Sequence, residues 1–407
     1  MRVAINAQAL TEPGVRQRGA GRVLSALLHE LLPRLAREEV VLFANYAGLD
    51  VALPPSGRRV ATRWPVQRPL GRAAWEWLAL PSLLRRERAD VLLTPSMFPA
   101  TTTCPRIVLC PEVNALFTPQ GHLDRAPVAR LRCWRAAASL RAADRVVTVT
   151  TRTAQRLTRA LGVPADRVQV APMGGPPSDL AAAAERRIPD YLIPPKYVLW
   201  SGSEQTRTGL RIVLEAFGRV ADLIPHQLVL IGEAGRDLQV TRSAVARAGL
   251  QPRVLCLGAL PEEWSPAIVR RATAFLYPMA DDEFARPVLE AFACGTTVIA
   301  GNVGSLPDLC GVGALLFDPF NADQLAGLLL DVIREAELRA RQVQKGHERL
   351  AEFSWDTAAA TVYHLLLRVV EERRSASQPT ERISRHVHDP LRASAGRDAV
   401  QKPSPRA

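Results

Sequence analysis

AFLYPMADDEFARPVLEAFACGTTVIAGNVGSLPDLCGVGALLFDP, residues 274 to 319, decides the fold. Three short apolar runs, AFLYP (274–278), TVIAGN (297–302) and ALLFD (314–318), are spaced by turns and by an apolar helical segment around VLEAF (288–292). Runs of this length alternating with helical patterns are the mark of a parallel sheet with crossover helices. The same alternation extends upstream through YVLWSG (197–202), LVLIGE (228–233) and RVLCLG (253–258). It is preceded by a proline-rich stretch, GGPPSDLAAAAERRIPDYLIPPK (174–196), which reads as a domain junction. Before that junction a second set appears: RVAIN (2–6), VVLFAN (40–45), DVLLTP (90–95), RIVLC (106–110), RVVTVT (145–150) and RVQVAP (167–172). The expected architecture is α/β, with two doubly wound Rossmann-like domains facing a cleft, residues 1–185 and 195–352. A length of 407 residues suits two cores better than one.

Composition narrows the class. Apolar residues make up 47% and charged residues 23%, the balance of a soluble globular protein. No stretch reaches the roughly 18 to 20 apolar residues of a membrane span. The opening MRVAINAQAL lacks the apolar segment and cleavage site of a secretory signal, so a cytoplasmic protein is expected. The six cysteines show no metal spacing and read as reduced, mostly buried thiols. Net charge is +12, and residues 373–407 form a polar, basic stretch expected to be disordered. Two more basic stretches, residues 68–90 and 129–145, mix arginines with Trp and Leu. They fit either a solvated helix face or peripheral contact with an anionic membrane. Nothing resembling a nucleic-acid-binding motif accompanies the charge, so no nucleic-acid partner is expected.

Ligands of open α/β sheets bind beyond the carboxyl ends of the strands, and three features fall there. RGAGR (18–22) opens a helix after the first strand, so amides near Gly19 and Gly21 are placed to face an anion, or the glycines simply let the helix pack. SGSEQTRTG (201–209) follows the first strand of the second domain, with Gly202 at the turn and Arg207 and Thr208 beyond it; the arginine suits a phosphate or is an ordinary surface residue. In DDEFARPVLEAF (281–292), Asp282 fits a helix-capping role. Glu290, set among Val288, Leu289, Ala291 and Phe292, is where an unpaired charge is costly.

Together these segments resemble glycosyltransferase family 4, the retaining nucleotide-sugar enzymes of GT-B fold, from residue 1 to about 372. GAGR resembles the first-domain Gly-x-Gly-Arg loop, residues 197–217 the diphosphate-loop region, and residues 274–319 the block around the E-x7-E motif. Residues 353–372 resemble the last helix, which in this fold crosses back to the first domain. The resemblance implies a UDP- or GDP-linked sugar donor, a glycan or lipid-linked acceptor in cell-surface polysaccharide or glycolipid synthesis, and no metal or other cofactor. It implies that Glu290 binds the ribose hydroxyls, Asp282 the donor-sugar hydroxyls, Arg207 the diphosphate, and that Gly21 lets amides approach the phosphates. Asp282 and Arg207 are thus the expected catalytic residues, with Gly19, Gly21, Gly202, Arg207, Thr208 and Glu290 binding substrate.

The sequence departs from that pattern near the reacting centre. Thr208 stands in place of a lysine, Cys110 and Pro111 in place of a His-Asp pair, Asp282 in place of the first motif glutamate, and Glu283 and Ala285 in place of glycines. Two readings follow: an active hexosyltransferase, or a non-catalytic relative that keeps the fold and nucleotide binding.

Overall fold

The apolar runs form two all-parallel sheets in the computed structural model, which describes residues 1–11, 19–45, 52–95, 102–111, 113, 127–172, 174–176, 180–189, 191–202, 207–232, 236–278 and 285–377. The first sheet holds β1 (Arg2–Asn6), β2 (Glu39–Phe43), β3 (Arg58–Val60), β4 (Val91–Thr94), β5 (Arg106–Leu109), β6 (Arg145–Thr148) and β7 (Val168–Val170), in the order β3-β2-β1-β4-β5-β6-β7. The second holds β8 (Tyr197–Gly202), β9 (Gln227–Gly232), β10 (Val254–Gly258), β11 (Ala274–Tyr277), β12 (Val298–Gly301) and β13 (Ala314–Phe317), in the order β10-β9-β8-β11-β12-β13. Each sheet starts at its centre, winds to one edge and returns to the other side of its first strand, as doubly wound sheets do.

The runs are apolar throughout because both faces of each sheet are covered. In β8 this is visible residue by residue: Tyr197 and Leu199 join one buried cluster, while Val198 and Trp200 join the cluster on the other face. Strand β3, absent from the sequence reading, is an edge strand, and its Arg58 and Arg59 hide it from any search for apolar runs. Charge on an edge also discourages pairing with another chain. Among the described residues, no helix is long and apolar enough to cross a membrane. All six cysteines are free, and burial pushes the Cys104, Cys294 and Cys310 thiols up to about 12.

Two boundaries differ from those expected. The short helix Leu180–Ala183 and Ala184 pack with Ile188 and Ile193 into the core of the second sheet, and Glu185 pairs with Arg270 at 2.7 Å. The first domain therefore ends before Leu180 rather than at 185. The last helix spans Trp355–Ser377, so residues 373–377, assigned to the tail, are helical. Arg374, in this added turn, pairs with Asp90 at 3.8 Å. Residues 378–407, the rest of the expected disordered tail, lie outside the described residues.

That last helix belongs to the first domain in space. Ala358, Ala359, Val362, Leu365, Leu366, Val369 and Val370 recur at helical spacing, and all are buried against Leu24, Leu27, Leu28, Leu31 and Leu32 of the Gly19–Arg34 helix. Burying a Val or Leu side chain fully contributes about 1.5–3 kcal/mol, so this stripe fixes the helix firmly. Arg145 and Glu372, 2.6 Å apart, close its far end.

At its start sits Trp355, which packs on both domain cores. Its indole N–H donates to the Gly175 carbonyl at 2.9 Å. A Cβ on Gly174 would lie 2.4 Å from the Trp355 backbone nitrogen and 2.2 Å from its ring, so only glycine fits. Gly174→Ala should therefore lower stability by about 1–3 kcal/mol, the usual cost of overpacking. Gly327→Ala, in the open interior of the Ala322–Arg334 helix where nothing lies within 4 Å, should raise it by about 0.4–1 kcal/mol. Thermal unfolding of the two variants checks both signs.

Candidate functional site

The second sheet reverses its winding between β8 and β11, and the expected binding residues leave from these two strands. Gly202 ends β8. Arg207 and Thr208 are the first two residues of the helix Arg207–Val220 that follows, though their side chains lie outside the described residues. Strand β11 leads through Pro278 toward the helix Arg286–Ala293, which carries Glu290. The start of the Arg207–Val220 helix lies against the end of β11: a Cβ on Gly209 would come within 3.0 Å of Pro278 Cγ. Asp282 falls in 279–284, outside the described residues.

Backbone crowding explains the glycines at this edge. Gly202 and Gly232 end neighbouring strands, and a Cβ on Gly232 would lie 1.9 Å from the Gly202 carbonyl oxygen. No rotamer relieves a contact between Cβ and backbone. Bare strand ends also leave room for a ligand beyond them.

The helix N-termini are equally plain. Neither Arg207–Val220 nor Arg286–Ala293 has an acid in its first turn. The same holds for Gly19–Arg34, after β1 at the winding reversal of the first sheet. First-turn amides have no acceptor within their own helix, and the dipole is positive there. Gly19 occupies the first position of that helix and Gly21, which is buried, the third. The two domains touch next to this point. Val23 and Val149 of the first domain join the buried cluster of the second, and Thr150 Oγ1 donates to Ser305 Oγ at 3.5 Å.

Glu290 is the best-defined polar group here, and its surroundings differ from the apolar nest the sequence suggested. Its side chain is 29% exposed, on the opposite side of the helix from buried Val288, Leu289, Ala291 and Phe292. It is also paired: Arg286 Nε lies 2.8 Å from Glu290 Oε1, one turn earlier. The ion pair engages one carboxylate oxygen, which fixes its orientation and leaves the second oxygen as an acceptor. Sequence reasoning missed Arg286, although opposite charges at i and i+4 were the available signal. The helix is entered through Ala285 at φ 32° and ψ 44°, left-handed backbone that favours glycine. This is one of the positions where the family pattern has glycine, and the conformation is kept without it.

In the first sheet, Cys110 follows β5 and is buried, its amide donating to the Val147 carbonyl at 2.8 Å. A buried polar network, unforeseen from sequence, spans the winding reversal between β1 and β4. Asn6 Nδ2 donates to Glu76 Oε1 at 2.9 Å and to Thr94 Oγ1 at 3.2 Å, so the residues that interrupt the first apolar run tie the strand ends together. Among the described residues, no three His, Cys, Asp or Glu side chains gather as a metal site.

Family comparisons match each domain separately. The model described as Glycosyltransferase Family 4 matches residues 18–178, and that described as Glycosyl transferases group 1 matches residues 185–349. The chain belongs to glycosyltransferase family 4. Among curated relatives, O-antigen chain mannosyltransferase B of Escherichia coli is 27% identical over 56% of this chain and 62% of its own length. The 2-deoxystreptamine glucosyltransferase of Streptomyces kanamyceticus is 27% identical over 90% of this chain and 98% of its own. Thus the first relative is matched over less than two thirds of its length and the second over nearly all. The solved structure of sucrose-phosphate synthase from Thermosynechococcus elongatus superposes with a TM-score of 0.68 at 18% identity, covering 91% of this chain and 100% of that one. That likeness agrees with the expected GT-B architecture of two Rossmann-like domains.

The contact between Gly232 and Gly202 generates a test. Gly232→Ala should displace the end of β8, lowering stability by about 1–3 kcal/mol and lowering the melting temperature in calorimetry.

Proposed function

We propose that this family 4 protein is an active retaining hexosyltransferase using a UDP- or GDP-linked sugar and a glycan or lipid-linked acceptor, in cell-surface polysaccharide or glycolipid synthesis. The observation that carries the reading is the carboxylate of Glu290, paired with Arg286 on the helix that follows β11, with no acid in the first turn of that helix or of the helix that follows β8. Glu290 accepts hydrogen bonds from the ribose hydroxyls. Arg207, the amides after Gly202 and the first-turn amides at Gly19 and Gly21 stabilise the diphosphate, and Asp282 holds hydroxyls of the donor sugar. Thr208 supplies a hydroxyl to the same loop. Relatives named for mannosyl and glucosyl transfer support a hexose donor.

In the reaction, the acceptor oxygen forms a bond to the anomeric carbon on the face from which the diphosphate oxygen departs. The electron pair of the broken bond goes to the diphosphate, and the acceptor proton passes to that departing oxygen. Charge grows on the leaving group, so preorganised cations and amides lower the barrier without a metal. Neither a protein nucleophile nor a protein base is required. The replacements at Thr208, Cys110 and Pro111 favour a second reading, in which the nucleotide is bound but no sugar is transferred.

Titration calorimetry with UDP and GDP tests the nucleotide site. Glu290→Gln should weaken the preferred nucleotide by about tenfold or more, consistent with the ~1.5–3 kcal/mol of a charge-assisted hydrogen bond, and by more than Asp282→Asn does. Equal affinity in Glu290→Gln and the unaltered protein would remove Glu290 from the site.

Turnover separates the two readings. Thr208→Lys restores a second cation to a loop where Arg207 stands alone in QTRTG, and a preorganised donor is worth ~2.7–4 kcal/mol at a transition state. The expected result is a higher kcat for donor hydrolysis or transfer with little change in donor affinity. No gain in an active enzyme contradicts the leaving-group argument, and no activity in either protein favours the binding-only reading.

A further inference from the structure

The first domain carries an aromatic and basic surface that plays no part in the proposed transfer. The helix Pro69–Leu78 turns Trp75 inward, edge-on to Phe43 at 5.9 Å, and sends Glu76 to Asn6. Its outer side presents Leu70, Trp77 and Leu78, exposed by 86%, 54% and 65%. Two neighbours extend this surface. A Cβ on Gly71 would lie 2.3 Å from the Pro65 carbonyl oxygen, so the segment carrying exposed Trp64 lies against the start of the helix. On the other side the Arg135 guanidinium stacks 4.7 Å from the Trp77 ring centroid, bringing in the Pro127–Arg141 helix with Trp134, 64% exposed. Isolated exposed apolar side chains are ordinary, but five large ones linked in this way are not.

The charge on the same segment is sorted by sign. Arg63, Arg68, Arg85, Arg86 and Arg88 are exposed. Glu76 and Glu87 are buried, Glu76 against Asn6 and Glu87 against Arg58. Asp90, half-buried, accepts from the Arg2 backbone N–H at 2.6 Å. The segment thus meets solvent with cations, tryptophans and leucines, its acids withdrawn into the domain.

We propose that this surface of the first domain, centred on Leu70, Trp77 and Leu78, docks the protein on an anionic lipid bilayer. Tryptophan suits the headgroup boundary because its ring is apolar and its N–H polar, and leucine reaches the acyl region. Each arginine near a negatively charged leaflet adds to the attraction. A second copy of the chain is a poor occupant, because it would bring like charge from a protein of net +12. The docking does not depend on the transferase reading, and its test needs no sugar donor.

The test is flotation with vesicles of phosphatidylcholine alone and of phosphatidylcholine with phosphatidylglycerol. It uses the full chain, a chain ending at Ser377, the triple variant Leu70→Ser, Trp77→Ser, Leu78→Ser, and the double variant Arg85→Glu, Arg86→Glu. The full and shortened chains should float with the anionic vesicles and stay below with the neutral ones. The triple variant should lose partitioning by about tenfold or more at an unchanged melting temperature, and the double variant should lose it most at low salt. Brominated lipid should quench tryptophan fluorescence in the full chain and not in the triple variant, a readout indifferent to small changes in stability. The proposal is overturned if the unaltered protein ignores anionic vesicles, if binding vanishes on shortening to Ser377 but survives in the triple variant, or if the triple variant only dissolves a lipid-independent dimer seen by light scattering.

Discussion

The packing of Trp355 against Gly174 and Gly175 is the contact on which the two-domain arrangement depends. The chain leaves the first domain at these glycines and returns to it at this tryptophan, so both passages between the domains are joined at one place. From there the last helix lays its apolar stripe on the Gly19–Arg34 helix, and the first domain is completed by the far end of the chain. Trp355 therefore contributes to both cores at once. Thr150 with Ser305 and the packing of Val23 into the second core add further contacts between the domains.

Given that frame, the chemistry of the cleft follows from elements that end there. Each doubly wound sheet has its reversal point where helices begin with no acids in their first turns. Such surroundings favour a polyanion over a neutral ligand. In the proposed function, the pairing of Glu290 with Arg286 keeps its carboxylate from repelling that anion and leaves one oxygen for a neutral hydroxyl. A phosphorylated sugar nucleotide combines both needs, a charged part for the helix ends and hydroxyls for the carboxylate.

Most of this was legible in the amino-acid sequence for a physical reason. Parallel strands covered on both faces are short apolar runs, and among the described residues twelve of thirteen strands declare themselves by such runs, half-buried β7 with its Gln169 the weakest of them. The exception, Arg58–Val60, is an edge strand of three residues, two of them arginines and one exposed, so it offers no apolar run. Boundaries were less legible. Leu180–Ala183 sits in a proline-rich stretch that reads as linker, yet its neighbours Ala184, Ile188 and Ile193 are core. At the other end, residues 373–377 carry little apolar area, yet the helix continues through them and Arg374 pairs with Asp90. Within the site, motif spacing singled out Glu290 but not its orientation, which came from the arginine a turn before it. Ala285 was visible only as a missing glycine, and the backbone keeps the glycine-like conformation regardless.

Hydrogen exchange read by mass spectrometry, with and without UDP or GDP, addresses the nucleotide site most directly. A nucleotide seated as proposed slows exchange at the end of β8 and the start of the Arg207–Val220 helix, and at the start of the Arg286–Ala293 helix, while β3 and β10 at the outer edges stay unchanged. Slowing confined to the first domain, or no slowing at these two helix starts at saturating nucleotide, would contradict a donor site built around Glu290.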